Sequence, residues 1–191
     1  SNIPLKLGGF MKSQRLNIDN LDRHIKSSFD AINLLYESKY FDQAKYCSFI
    51  LIDQLAWLVS GSETQVSTYF KAWLNKYFTK YYSEIGADEL WASRNGMLHN
   101  SSSISRDIVS GRASKQLYFF NNLDTHNELS AYCDGDENYR LVNTRRFIQV
   151  ALPNAVEDFK IDLMSFNIHD QEDVKEKLGK LLQPLYPDKV K

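Results

Sequence analysis

Three side chains in one short stretch combine residue types that are often used for chemistry near neutral pH. Arg94, Asn95 and His99 lie within Trp91–Asn100. A histidine changes its charge close to neutral pH, and an arginine is always charged and binds anions. In a helix, Arg94 and His99 would stand roughly 140° apart around the axis, so they are not stacked like an i, i+4 pair. The long arginine side chain can still swing toward the histidine, above all near a helix end.

The segment that begins with this stretch is locally basic. Between residues 94 and 115 the side chains carry a formal balance of +3 when histidine is neutral. The contributing cations are Arg94, Arg106, Arg112 and Lys115, against the single carboxylate Asp107. Further along the chain, Arg140, Arg145 and Arg146 are positioned to extend this basic patch. A second interpretation stays open, in which Arg94 is a surface cation and His99 is a helix C-terminal histidine favoured by the helix dipole.

Other site motifs are missing from the sequence or incomplete. The segment Asp134–Asn138 begins like a calcium loop, but Tyr139 stands where a glycine is needed and Arg145 where a glutamate is needed. We interpret it as a charged hairpin turn. The histidines show no HxxxH or HExxH spacing, and no phosphate loop, dinucleotide fingerprint or G-x-S-x-G motif is present. The sequence therefore predicts no metal site and no cofactor.

Length and charge limit the class of protein further. The chain has 191 residues and a formal net charge of −1, which excludes a broadly cationic coat for nucleic acid. Its cysteines, Cys47 and Cys133, have no CxxC spacing, so a reducing, cytoplasmic setting is expected. We see no signal peptide and no apolar run of membrane-spanning length, and the best run, Phe49–Val59, contains Asp53 and Gln54.

Helical periodicity dominates the first half of the chain. Apolar residues recur every three or four positions in three long segments, which predicts amphipathic helices over Ile18–Tyr36, Phe41–Val59 and Thr64–Tyr82. Asp88 is suited to cap a fourth helix that carries Arg94. Short connections between these helices favour an antiparallel four- to five-helix bundle over residues 17–103, and the fold class is therefore mainly α.

The second half of the chain changes character. Aromatic and β-branched residues are concentrated in Gln116–Phe120, Glu128–Cys133 and Tyr139–Val150, and Asp134-Gly135 gives a hairpin signal. These features predict a small antiparallel β-sheet over about 115–151. Helices follow over about 154–182, the last of them with Asp170 as its cap. We predict one domain over 17–183, with tails over 1–16 and 184–191; Met11 is a candidate natural start.

The stretch Arg94-Asn95-Gly96-Met97-Leu98-His99 resembles the signature of the HEPN superfamily (higher eukaryotes and prokaryotes nucleotide-binding domain). That signature is an arginine, a polar residue, a few variable positions and a histidine. The helices that precede the stretch are similar to the HEPN bundle in order, and the resemblance covers roughly Asn17–Ser103. The sheet and the last helices would be an elaboration around that bundle.

The resemblance implies a metal-independent endoribonuclease, in which a ribose 2′-hydroxyl attacks the adjacent phosphate. In that reading His99 moves a proton, Arg94 holds the phosphate and Asn95 orients one of its oxygens or donates a hydrogen bond. Arg106, Arg112 and Lys115 are candidates for substrate binding. One Arg–His pair is a poor set of groups for the acid and base roles together, so the resemblance implies a homodimer that pairs two motifs. The implied setting is a toxin or antiviral defence effector, with RNA as substrate and a nucleotidyltransferase-like antitoxin as a candidate partner.

A rival class of function is a non-catalytic module. The same helix can bind a nucleotide, an RNA phosphate or a protein partner without cleaving anything. The apolar and aromatic faces of the helices are ample for both a core and an interface.

Overall fold

The structure is a computed structural model that describes residues 16–100, 106–133 and 137–181. Most of the chain is helical, as predicted. The helices are α1 (Asp19–Glu37), α2 (Phe41–Leu58), α3 (Val66–Trp73), α4 (Ala87–Asn100), α5 (Arg106–Val109), α6 (Leu123–Tyr132), α7 (Leu152–Leu163) and α8 (Ile168–Leu181). The strands are β1 (Gln116–Phe120) and β2 (Tyr139–Asn143), and two π-helical segments are π1 (Leu74–Phe78) and π2 (Arg146–Ala151).

The first two helices follow the apolar stripes of the sequence. α1 buries Leu21, Ile25 and Ile32, which are spaced at helical intervals on one face. At its start the Asp19 backbone N–H donates to the Asn17 side-chain oxygen at 2.9 Å, so this asparagine satisfies a free N–H of the first turn. α2 is buried over a much wider surface and lies at the centre of the bundle, in contact with α1, α3 and α4.

The third helix begins at Val66, two residues after its predicted start at Thr64, and it also ends earlier than predicted. It continues from α3 into π1 and stops at Phe78, four residues before the predicted end at Tyr82. Tyr82 instead lies in the turn that follows, where its hydroxyl accepts a hydrogen bond from the Asn143 backbone N–H at 2.9 Å. This hydrogen bond therefore links the turn after π1, which sequence periodicity assigned to a helix, to the end of β2.

The predicted antiparallel sheet is wrong in its topology. β1 and β2 pair in parallel, with Gln116 opposite Tyr139 and Phe120 opposite Asn143. A parallel pair needs a crossover rather than a tight turn, and α6 supplies it. The predicted hairpin residues Asp134–Asp136 lie outside the described residues.

Two predicted strand segments are helical instead. Most of Glu128–Cys133 belongs to α6, whose start is capped by the Asn122 side chain accepting from the Thr125 backbone N–H at 2.8 Å. The long alternating run ends as a strand at Asn143, and the chain turns helical there because the Asn143 side chain accepts from the Arg146 backbone N–H at 2.9 Å. The predicted cap of α8 is also shifted. The helix begins at Ile168, and the residue that caps it is Asn167, whose side-chain oxygen accepts from the Asp170 backbone N–H at 3.0 Å.

The second half of the chain packs against the bundle through aromatic rings. Phe147 of π2 is fully buried and lies 5.3 Å from the Phe78 ring, 5.7 Å from Phe49 and 5.6 Å from Phe119, measured between ring centroids. These rings come from π1, α2 and β1, so one residue joins four elements. Among the described helices, none is long and apolar enough to cross a membrane.

Candidate functional site

The motif helix α4 is fixed to the core by its apolar side. Leu90 and Ala92 are fully buried, and Met97 is nearly so. At its N-terminal end the Glu89 carboxylate accepts a hydrogen bond from the Gly86 backbone N–H at 2.5 Å. Glu89 also accepts from the Ser114 hydroxyl at 2.7 Å, which ties the start of α4 to the chain just before β1. The backbone that carries Arg94 and Asn95 is thus held at both its inner face and its start.

Arg94 is bound to a carboxylate of the central helix. Its Nε and Nη2 both donate to Asp53 Oδ2, at 3.0 and 2.6 Å. Its Nη1 donates to the Asn95 side-chain oxygen at 3.0 Å, and its guanidinium lies 5.1 Å from the Trp91 ring centroid. The Arg94 side chain is only 16% exposed and that of Asp53 20%. The motif arginine is therefore an anchored, largely desolvated group and not a free surface cation.

The anchored arginine keeps capacity for an anionic ligand. A guanidinium has five N–H donors. Within the described residues three of them are engaged, two by Asp53 and one by Asn95. The two that remain belong to the terminal nitrogens, one on Nη1 and one on Nη2, and guanidinium N–H groups of this kind bind phosphate and carboxylate oxygens.

Asp53 is unusual because it is charged, central and only partly satisfied. Burial raises the pKa of the Asp53 carboxyl above its ordinary value, and the hydrogen bonds and charge of Arg94 oppose that shift. Its second oxygen, Oδ1, is buried and finds no hydrogen-bond partner among the described residues. Tyr69 of α3 lies near this carboxylate. Burial first, and then the Asp53 charge, raise the pKa of the Tyr69 hydroxyl.

Asn95 extends the network to α5. Its Nδ2 donates to Asp107 Oδ2 at 3.1 Å, and Arg112 Nε donates to the other oxygen of that carboxylate at 2.6 Å. Burial acts to raise the pKa of Asp107, but the hydrogen bonds from Arg112 and Asn95 outweigh it and hold the pKa below its ordinary value. A continuous hydrogen-bonded network thus runs from Asp53 through Arg94 and Asn95 to Asp107 and Arg112, with the Asn95 amide joining two ion pairs.

The third motif residue is only partly described. Position 99 lies in α4, one helical turn after Asn95, and the His99 side chain lies outside the described residues. The other candidate residues separate. Arg112 is paired with Asp107, Arg106 is exposed on α5, and Lys115 lines a different cleft beside β2. Because Asp53, a carboxylate outside residues 94–115, pairs with Arg94, the basic patch inferred from the sequence is weaker than its formal balance of +3.

Asp53 is a residue of this network that no sequence motif identifies. In the sequence it stands out only as an interruption of the apolar run Phe49–Val59. A carboxylate inside an otherwise uncharged apolar run is expensive to bury unless a cation pairs with it. That contrast is the signal that could have identified Asp53 as the partner of a distant arginine.

No three histidine, cysteine, aspartate or glutamate side chains come together as metal ligands in the described ranges. Comparisons with known proteins add no assignment: no protein-family model, no curated protein and no solved structure matches this chain.

Proposed function

We propose that this chain is a metal-independent endoribonuclease built on a four- to five-helix HEPN-like bundle. The observation that carries the proposal is the anchored Arg94, which Asp53 and Asn95 orient while two of its N–H groups stay available for a phosphate. Position 99 follows within the same helix. A preorganised guanidinium stabilises a transition-state charge most strongly where water is largely excluded, and Arg94 is such a group.

In the proposed reaction a ribose 2′-hydroxyl attacks the adjacent phosphorus, the 5′-oxygen of the next nucleotide leaves, and a 2′,3′-cyclic phosphate forms. His99 accepts the hydroxyl proton or delivers one to the leaving oxygen. Arg94 binds the phosphate and stabilises the charge that builds on its oxygens. Asn95 holds the guanidinium through its side-chain oxygen, and the second Nδ2 hydrogen, beyond the one donated to Asp107, can donate to one phosphate oxygen.

The proposal includes a homodimer. One imidazole cannot be acid and base in the same step, so a second motif supplied by another copy of the chain would complete the site. The protein would then act on RNA in the cytoplasm as a toxin or defence effector, held in check by a nucleotidyltransferase-like antitoxin. Light scattering should give twice the chain mass at micromolar concentration; a monomer at high micromolar concentration would contradict the composite site.

The test is cleavage of single-stranded RNA in the presence of a metal chelator. We expect products that end in a 2′,3′-cyclic phosphate or its opened form, and we expect DNA to survive because it lacks the 2′-hydroxyl. His99→Ala should lower the rate by about 10²-fold or more through loss of the proton carrier. The matched control is His24→Ala on α1, whose ring contacts Gln54 at 2.9 Å rather than the motif. A folded His99→Ala protein that cleaves at the wild-type rate would overturn the proposal.

A non-catalytic module is the second candidate, and one observation favours it. Arg94 is already neutralised by Asp53, as in a structural ion pair that holds two helices together. On this account the motif helix binds a nucleotide, an RNA phosphate or a partner protein without cleavage. Saturable RNA binding by the wild type, with no cleavage product after long incubation, would select this alternative.

A further inference from the structure

A second site candidate lies away from the motif, along β2. A cavity of about 560 Å³ is bordered by this strand, by the turn after π1 and by α6. Its volume falls in the usual range for small-molecule sites, about 300–1,000 Å³. It also adjoins the first residue of π2, Arg146, and π-helical turns are often found at functional sites.

The charge of this cleft is positive. Lys115, Arg140 and Arg146 line it, whereas Glu84 is the one carboxylate among the described lining residues. Glu84 is already occupied, because both of its oxygens accept hydrogen bonds from Arg146, at 2.9 and 3.2 Å. The cleft therefore has two cations, Lys115 and Arg140, that this carboxylate does not pair with. Such a surface favours an anionic ligand.

Two residues of the lining, Arg140 and His126, each carry a polar atom without a partner among the described residues. Arg140 Nε and His126 Nδ1 are buried, and neither finds a hydrogen-bond partner in the part of the chain that the structure describes. A buried polar atom without a partner is costly, and native proteins rarely leave one so unless a ligand or water satisfies it. With a rotation of the two side chains toward the cleft, an oxygen-rich anion there would supply an acceptor for Arg140 Nε, and for His126 Nδ1 when that nitrogen carries a proton.

The same cleft has aromatic walls. Phe120 and Tyr139 lie in its lining, from β1 and β2 respectively. The Phe120 ring packs edge-on against His126 with centroids 4.7 Å apart, and Tyr139 lies 5.0 Å from Tyr118. Aromatic rings fixed in this way offer flat apolar surface on which a planar ring can stack.

We propose that this cleft binds a nucleotide. Its phosphate is held by Arg140, Lys115 and His126, and its base lies against the aromatic walls. The ligand is either a free mononucleotide or the terminal nucleotide of a strand, which present the same phosphate and base. This binding is separate from the ribonuclease proposal, because it requires neither Arg94 nor His99.

The test is calorimetric titration of the full chain at low salt with AMP, inorganic phosphate and adenosine. We expect saturable binding of one AMP per chain, at least tenfold tighter than phosphate or adenosine alone. Arg140→Gln should weaken AMP binding roughly tenfold or more, the scale for a hydrogen bond to a charged group. Arg145→Gln is the matched control, since this exposed neighbour donates to Gln149 and does not line the cleft.

A second variant and a second probe complete the experiment. Lys115→Gln, at the position just before β1, should also weaken AMP binding and gives the answer if Arg140→Gln does not fold. A 5′-phosphorylated 2′-O-methyl triadenylate cannot be cleaved through a 2′-hydroxyl: tighter binding than AMP indicates a strand end, and equal binding a free nucleotide. No saturable AMP binding at millimolar concentration overturns the proposal. So does phosphate that binds as tightly as AMP, or an equal loss in Arg145→Gln.

Discussion

Arg94 and Asp53, 41 residues apart in the chain, meet through two hydrogen bonds to a single carboxylate oxygen. Nε and Nη2 of the arginine both reach Oδ2, whereas Oδ1 is buried without a partner among the described residues. The contact links α2, at the centre of the bundle, to the motif helix α4. Asp53 therefore positions Arg94, and it gives the arginine a counter-charge in a place where water is scarce.

Asp53→Asn should destabilise the protein by about 2 kcal/mol, the scale of a hydrogen bond to a charged group. The amide keeps the size of the side chain and can still accept one hydrogen bond, but it leaves the guanidinium largely buried without a counter-charge. Urea unfolding measures the change. Asp30→Asn is the control, because Asp30 pairs with Lys26 on the exposed surface and such pairs contribute less than about 1 kcal/mol. Equal losses in the two variants would show that the Asp53 pair has no special role.

Arg94→Lys should separate the charge of the motif from its geometry. A lysine ammonium can reach Asp53, but it cannot also donate to Asn95 and keep two coplanar N–H groups for a phosphate. We expect RNA cleavage to fall on the order of 10²-fold, with a smaller loss of unfolding free energy than in Asp53→Asn. Cleavage assays with Arg145→Lys, an exposed substitution of the same kind, provide the comparison. Wild-type cleavage by a folded Arg94→Lys protein would remove Arg94 from the proposed reaction.

The helical half of the fold could be predicted because local and tertiary signals agree there. In α1 the stripe containing Leu21, Ile25 and Ile32 is buried as a face, and Asn17 supplies an oxygen at the helix start. The end of α2 is followed by Gly61, which adopts a positive φ of 57° that a residue with a side chain rarely accepts. Each of these features depends on neighbours within a few positions.

The second half could not be predicted in the same way, because its topology depends on distant contacts. Aromatic residues such as Tyr132 suit either a strand or a helix, and here Tyr132 ends α6, with its ring 6.1 Å from that of Tyr118 in β1. Asn122 and Asn143 cap helices, but an asparagine also suits a turn or a strand end, so the residue type alone does not predict a helix after either of them. The candidate site divides similarly: a short motif identifies Arg94 and Asn95, whereas their partner Asp53 is visible only in three dimensions.

Phe147→Ala should be among the most damaging core substitutions. The side chain is fully buried, and its ring contacts Phe49, Phe78 and Phe119 from three other elements. Truncation removes apolar surface and leaves a cavity, which together cost about 3–5 kcal/mol. Val150→Ala, a truncation at a half-exposed position of the same π2 segment, should cost less than about 1 kcal/mol. Similar unfolding midpoints for the two variants would contradict the central position of Phe147.

Tyr77 and Asp162 predict how stability changes in alkaline solution. The Tyr77 hydroxyl donates to Asp162 Oδ2 at 2.6 Å, and Lys76 donates to the same oxygen. Burial first, and then the Asp162 hydrogen bond, raise the pKa of Tyr77 to about 12. Because an unfolded tyrosine loses its proton near pH 10, the folded state holds more protons than the unfolded state between pH 10 and about 12. The contribution of Tyr77 is therefore complete below pH 10 and is lost as the pH rises toward 12.

Tyr77→Phe should accordingly flatten the alkaline limb of the stability curve. At pH 8 the variant should be less stable than the wild type, because the hydrogen bond to Asp162 is gone, and the gap should narrow by about 1 kcal/mol as the pH approaches 11. Urea unfolding at several pH values measures both curves. The control variant Tyr40→Phe, at an exposed position, should leave the stability curve of the wild type unchanged. If the gap between Tyr77→Phe and the wild type stays constant from pH 8 to pH 11, the Tyr77 hydroxyl does not titrate late in the folded protein, and the raised pKa assigned to it is wrong.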